Sequence, residues 1–184
     1  MFRYVGDVSN LSHDIIKNYG IKFNVALDGT LGNGNDTKFL ENLFKKTYSF
    51  DIQKECIDKY EKENPCNKVI LINDSHEKVK EYIASEKIDA AMFNLGFLPG
   101  GNKSITTEGS SSLKAIKDSL ELLIEGGIMT IACYIGHEKG KEEYEIIKDY
   151  LCSIDKFKFG VMEHSFLNRS QVAPRLIVVE KKIC

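Results

Sequence analysis

Two polar loops in this sequence have the residue types and the spacing to bind a nucleoside-like ligand and to act on an amine. The first reads Asp28-Gly29-Thr30-Leu31-Gly32-Asn33-Gly34-Asn35-Asp36-Thr37. Its glycines let the main chain approach a ligand and take positive φ, and Asn33 and Asn35 tolerate similar geometry. The order is GxxGxG rather than the dinucleotide GxGxxG, and no Gly-Lys-Ser/Thr follows as in a phosphate loop. An acid opening the loop, Asp28, repels phosphate but suits a cation. S-adenosylmethionine carries a sulfonium and an amino group and no phosphate. Asp28, Thr30, Gly32, Asn33, Gly34, Asp36 and Thr37 are therefore candidate cofactor contacts. A structural reading stands beside this one, with Asp28 bonding loop amides and Asp36 capping the following helix.

Asp51 follows 17 residues after Gly34. A carboxylate at the end of a second strand can accept both ribose hydroxyls, or it can simply face solvent. Gln53 stands ready to support the ribose or the adenine edge. Asn73-Asp74-Ser75-His76 comes after a third strand, where polar groups can read an adenine amino group. His76 could equally cap the helix it precedes.

The second loop begins Asn94-Leu95-Gly96-Phe97-Leu98-Pro99-Gly100-Gly101. Methyl transfer to an amine is an in-line displacement. The amine must present its lone pair, so its N–H groups should point at acceptors. The Asn94 side-chain oxygen and a neighbouring carbonyl, that of Leu95, supply two. Phe97 can stack on a base. Asn94-Leu95-Gly96-Phe97 is a loose version of the Asn/Asp-Pro-Pro-Tyr/Phe of many amino-methyltransferases, without the prolines; an Asn-capped turn is the plain alternative.

These loops need a scaffold, and the chain supplies a strand–helix rhythm. Strands are expected at Phe23–Leu27, Thr47–Ile52, Lys68–Ile72, Ile88–Asn94 and Ile128–Cys133. Helices are expected at Asp36–Lys46, Gln53–Glu63, about Glu77–Glu86, Ser112–Glu125 (closed by Gly126-Gly127) and Lys141–Leu151. Phe157–Met162 and Leu176–Glu180 read as a final antiparallel pair. Five strand–helix repeats predict a doubly wound α/β fold. Its sheet is mostly parallel and seven-stranded, with an antiparallel C-terminal hairpin and ligands at the carboxyl ends of the strands.

The chain has 184 residues, 42% apolar and 28% charged, which predicts one globular domain over 1–184. No apolar run reaches the ~20 residues of a membrane span. No signal peptide is visible at the start, so neither secretion nor membrane insertion is expected. The five cysteines form no CxxC pair, which disfavours a zinc knuckle and predicts no metal. Reduced thiols in a cytoplasm fit better. The net charge of −2, with arginine only at Arg3, Arg169 and Arg175, exerts no global pull on nucleic acid.

The segments DGTLGNGNDT, FDIQ, NDSHEKV, FNLGFLPGGNKSITT, YIGHEKGKEE and FLNRSQVAPRLIVVEKK together resemble the small bacterial YtqB/MnmM family. The resemblance implies a Rossmann-like class I methyltransferase. It also implies S-adenosylmethionine-dependent methylation of the aminomethyl group at the 5-position of the tRNA wobble uridine, usually a 2-thiouridine. By that resemblance Asn33, Asp36, Asp51, Gln53, Ser75 and His76 are cofactor contacts. Asn94, a candidate cofactor contact as well, and the loop through Gly100, Gly101, Lys103, Thr106 and Thr107 then form the substrate-side wall. Where the family usually has Ala, His, Tyr and Asp, this chain has Gly29, Asn35, Phe97 and Asn102. Lys103, His137, Lys139, Lys141, Arg169 and Arg175 become candidate contacts to tRNA near the anticodon, against the plainer reading of a solvated surface. His137 is also a candidate proton acceptor. A homodimer would extend the RNA surface. A methyltransferase acting on rRNA or a small amine, a dehydrogenase and a non-catalytic binding module are the competing readings.

Overall fold

A computed structural model of the chain describes residues 2, 4–65, 67–83, 86–96 and 109–183. The first element is a helix that the strand–helix rhythm does not announce, α1 (Val8–Tyr19). Asp7 caps it by accepting the Asn10 N–H at 2.9 Å, and Val8, Ser12 and Ile16 form its buried stripe at a spacing of four. Then follow β1 (Val25–Asp28), α2 (Asn35–Leu43), β2 (Lys46–Phe50), α3 (Lys54–Glu63) and β3 (Val69–Ile72). A single 3₁₀ turn, His76–Lys78, leads into α4 (Val79–Ile83). The chain continues through β4 (Ile88–Leu95), α5 (Gly109–Leu122), β5 (Leu123–Cys133), α6 (Glu138–Ser153), β6 (Phe159–His164) and β7 (Arg175–Lys181).

Among the described residues the strands form one seven-stranded sheet in the order β3-β2-β1-β4-β5-β7-β6. The first five pair in parallel, and β7 runs antiparallel between β5 and β6. The expected doubly wound sheet with its antiparallel C-terminal hairpin is thus present. β4 is the central strand and almost wholly buried, as a strand covered on both faces must be. Within it Ala91, Phe93 and Leu95 join the main core, and Ala90 joins a second buried cluster with Ile16, Leu40 and Phe44. Strand order reverses at β1 and β4, so their loops part and leave a crevice at their carboxyl ends.

Most element ends lie within three residues of the sequence reading, and the largest difference, five residues, is at the start of β5. Gly126-Gly127 does not close a helix. α5 ends at Leu122, and the chain enters β5 at Leu123, which is fully buried and pairs with Ile88. The next paired residues are Ala90 and Ile128, so Ile124–Gly127 bulges opposite Asp89. Gly126 makes the bulge with φ +73°, where a Cβ would meet Ile21 Cδ1 at 2.4 Å. Burial of Leu123 under the sheet outweighs the helical periodicity that continues through Glu125. Among the described residues no helix is long and apolar enough to cross a membrane.

Candidate active site

A cavity of about 940 Å³ opens at the carboxyl ends of β1, β2, β3, β4 and β5. The β1 loop forms its floor. Asp28, wholly buried beneath that loop, accepts the Thr30 N–H at 2.9 Å and the Thr37 hydroxyl at 2.5 Å. Its carboxyl is pushed up to about 7, first by burial and then by the nearby Asp36 charge. Asp28 and Thr37 do not line the cavity, so of the two readings of Asp28 the geometry matches the structural one. Gly34 is likewise set back. It caps α2 at φ +80°, and a Cβ there would lie 2.3 Å from the Tyr60 ring. Asp36 lies inside α2 and does not cap it; its carboxylate turns toward the cavity instead. Thr30, Gly32 and Asn33 also line the cavity.

Asp51, just beyond β2, ties this floor to the next strand. Its Oδ2 accepts the Gly32 N–H at 2.9 Å and its Oδ1 the Gln53 N–H at 2.8 Å. Both oxygens keep lone pairs on a residue that lines the cavity beside Gln53. Ser75 and His76 face them from the β3 loop. Ser75 caps the 3₁₀ turn, accepting the Glu77 N–H at 3.3 Å. His76 Nδ1 lies 2.9 Å from the Gly29 carbonyl and must carry the hydrogen that donates to it. Burial lowers the His76 pKa, so the ring is neutral. Ser112, which donates to the buried Glu143 at 2.6 Å, backs His76 at 3.4 Å from Nε2.

The opposite side is built by β4, β5 and α1. Asn94 donates its main-chain N–H to Thr30 Oγ1 at 2.7 Å and its side-chain amide to Asp36. The Leu95 side chain is buried in the core. Its carbonyl, the group expected to meet an amine, accepts the Tyr134 N–H at 3.2 Å through one of its two lone pairs. Ser9, Asn10 and His13 of α1 and Tyr134 after β5 complete this wall. None of the four was expected from sequence. An Asp7 cap ahead of a stripe at Val8, Ser12 and Ile16 was the available signal for the helix that brings three of them.

His137 and Arg169 are not at the cavity. His137 caps α6, its Nδ1 accepting the Gly140 N–H at 3.0 Å, which occupies the nitrogen a proton acceptor would use. Arg169 donates to the carbonyls of Val5 at 2.7 Å and Gly6 at 2.9 Å and stacks on Phe166. It thus straps the β6–β7 loop to the segment ahead of α1. Phe97, Gly100, Gly101, Lys103, Thr106 and Thr107 lie outside the described residues.

The family described as "Putative rRNA methylase" matches residues 47–180. A chloroplastic tRNA (mnm(5)s(2)U34)-methyltransferase of Arabidopsis thaliana is 32% identical over 179 residues, or 88% of this chain. The chain spans 64% of that protein's length. A crystal structure of a "putative rRNA-methylase" from Clostridium thermocellum is 36% identical with a TM-score of 0.90, covering 96% of this chain and 98% of its own. A "putative methyltransferase" from Streptococcus mutans, crystallised with S-adenosylhomocysteine (SAH), is also 36% identical, with a TM-score of 0.87 over 96% of this chain and 99% of its own. The chain therefore belongs to the rRNA methylase family, the one its motifs resemble, and has the Rossmann-like class I methyltransferase fold.

Proposed function

We propose that the protein is an S-adenosylmethionine-dependent methyltransferase. Its acceptor on this reading is the aminomethyl nitrogen on a 5-aminomethyl-(2-thio)uridine at the wobble position of tRNA. The observation that carries the reading is the two-sided cavity, with Asp51 and Gln53 at one end of the glycine loop and Asn94 at the other. A cofactor with no phosphate fits this donor set. The floor is made of backbone and neutral side chains, and the acidic side chains that line the cavity with it are Asp7, Asp36, Asp51, Asp74 and Glu77. Asp51 has the free lone pairs to accept ribose hydroxyls, and Gln53, Ser75 and the neutral His76 border the place of the base.

The bound cofactor supplies an electrophilic methyl on a sulfonium sulfur. The chain's own residues do the rest. Asn94 presents its carboxamide oxygen to an amine N–H and so turns the nitrogen lone pair toward the methyl. Loss of the amine's extra proton to solvent suffices before attack, so no residue is assigned as general base. Asp7 and Asp36 keep this half of the cavity acidic and suited to a cationic aminomethyl group. The Arabidopsis relative supports a tRNA acceptor, and the anticodon is part of the proposal. The same reading puts the enzyme in the cytoplasm, where Cys56, Cys133 and Cys152 remain free thiols.

The test is nucleoside analysis of tRNA from a deletion strain, joined to label transfer from S-adenosylmethionine by the purified protein. Unmethylated aminomethyl-uridine should accumulate in the strain, and hypomodified tRNA should take up label. Asn94→Ala should lower turnover about 100-fold while SAH binding changes little. Normal wobble nucleosides in the strain, or label entering rRNA alone, would overturn the tRNA assignment.

A further inference from the structure

The wall nearest α1 contains a chain of three side chains whose polarity can be worked out from donor counts. His13 Nε2 lies 2.6 Å from Asp36 Oδ1. The Asn94 side-chain amide donates to Asp36 Oδ2. The Asp36 side chain is only 5% exposed and that of His13 21%, so the Asp36 carboxylate is largely shielded from water. The His13 ring is stacked on Phe39, with centroids 4.0 Å apart and planes 6° from parallel, which limits its rotation.

An ionised carboxylate only accepts hydrogen bonds. The imidazole nitrogen that meets it must therefore bear a hydrogen, and the edge of the Asn94 carboxamide that meets it must be the NH2. Reversing the carboxamide would bring its oxygen against a carboxylate oxygen in a poorly hydrated place, a repulsive contact. Ambiguity between O and N, common for Asn, is thus resolved by chemistry. The main chain of Asn94 is held as well, through its N–H to Thr30 Oγ1. What remains for the cavity is the carboxamide oxygen.

We infer that Asp36 and His13 are positioning residues for methyl transfer, holding the Asn94 carboxamide so that its oxygen, and not its NH2, meets the acceptor amine. This rests on the role given to Asn94 above. An NH2 in that place would set donor against donor, and the amine would turn its lone pair toward Asn94 and away from the methyl. His13 keeps Asp36 from rotating away by engaging its second oxygen.

The experiment uses the full chain, hypomodified tRNA and S-adenosylmethionine, with Asp36→Asn, His13→Ala and His13→Gln. Asn at 36 offers a donor of its own and lets Asn94 reverse. Turnover should fall about 100-fold in Asp36→Asn and about 10-fold in His13→Ala, while KM for tRNA and the SAH dissociation constant stay within about 3-fold. His13→Gln, which keeps a donor, should recover most of the loss seen with Ala. In ¹⁵N-Asn-labelled protein the Asn94 side-chain NH2 signals should shift in Asp36→Asn and His13→Ala. Unfolding midpoints check that each variant is folded.

SAH affinity falling in step with turnover would overturn the inference, since Asp36 would then act by holding cofactor. So would wild-type turnover in folded variants. If the wild-type protein transfers no methyl to any RNA, the functional reading fails. The NH2 signals then decide by themselves: if they do not move in the variants, Asp36 does not orient Asn94.

Discussion

Gly32 donates its N–H to Asp51 Oδ2 at 2.9 Å across 19 residues of sequence. The loop after β1 and the end of β2 are therefore one unit. The same carboxylate holds the Gln53 N–H, so it needs both oxygens as acceptors at once. Leu31 adds a main-chain link, its N–H reaching the Phe50 carbonyl at 2.8 Å.

Asp51→Asn should weaken SAH binding by about 10- to 100-fold, because an amide supplies one acceptor oxygen where two part-buried N–H groups need one each. Isothermal titration checks this. Equal affinity in a folded variant would remove Asp51 from the cofactor site.

Gly29→Ala tests close packing beneath the floor. A Cβ at this position would stand 2.2 Å from the Phe93 ring, which is buried and held edge-on to His76. Ala at this position should destabilise this chain by about 1–3 kcal/mol. Trimming the ring with Phe93→Leu should make the pair less costly than the two single changes summed, with a coupling of about 1 kcal/mol. Urea unfolding of the four proteins closes the cycle, and strict additivity would refute the clash.

The pH dependence of stability carries two opposed contributions. Asp28 goes from an ordinary 3.8 in the unfolded chain to about 7 in the fold. Between these values the native state keeps a proton that the unfolded state has lost, so this contribution is full below about pH 4 and is lost as pH rises toward 7. His76 works the other way. Its pKa is lowered by burial from 6.5, so stability is lost as pH falls below that value. Asp28→Asn removes only the first effect. The amide can accept from Thr30 N–H and donate to Thr37, whose hydroxyl is free to donate to Ser49 Oγ at 2.7 Å. The variant's urea midpoint should rise relative to wild type as pH goes from 4 to 7; a constant difference would show that Asp28 ionises normally.

Arg169→Ala should loosen the segment ahead of α1 while leaving global stability within about 1 kcal/mol, since the bonds it removes are exposed. Amide exchange across residues 4–10 should quicken, and turnover should fall several-fold because α1 forms a cavity wall. Unchanged protection there would show that the arginine strap holds nothing.

Much of this molecule was legible from short stretches of chain. Val25–Asp28 and Ile88–Leu95 are apolar runs long enough only for buried strands, and the glycine loop after the first marks where a ligand approaches. The last two strands, with no helical pattern between them, announced their antiparallel pairing. These features depend on interactions within a few residues, namely periodicity, capping and turn chemistry, which any window of sequence contains. The α1 helix is signalled in the same way, through Asp7 and the stripe it caps, although it precedes the first strand and lies outside the strand–helix rhythm.

Other features depend on which strands become neighbours. His13 reaches Asp36 across 23 residues, Asn94 reaches Asp36 across 58, and Arg169 reaches Val5 across 164. Nothing local distinguishes the Asp36 that orients an amide from one that caps a helix, or the Arg169 that straps a terminus from one that grips phosphate. Their partners arrive only when β1, β4 and β5 pack side by side and α1 folds back across their ends. Hydrogen bonds and ring contacts act over about 3–6 Å, so the role of each polar side chain is set by what the sheet order brings within that distance.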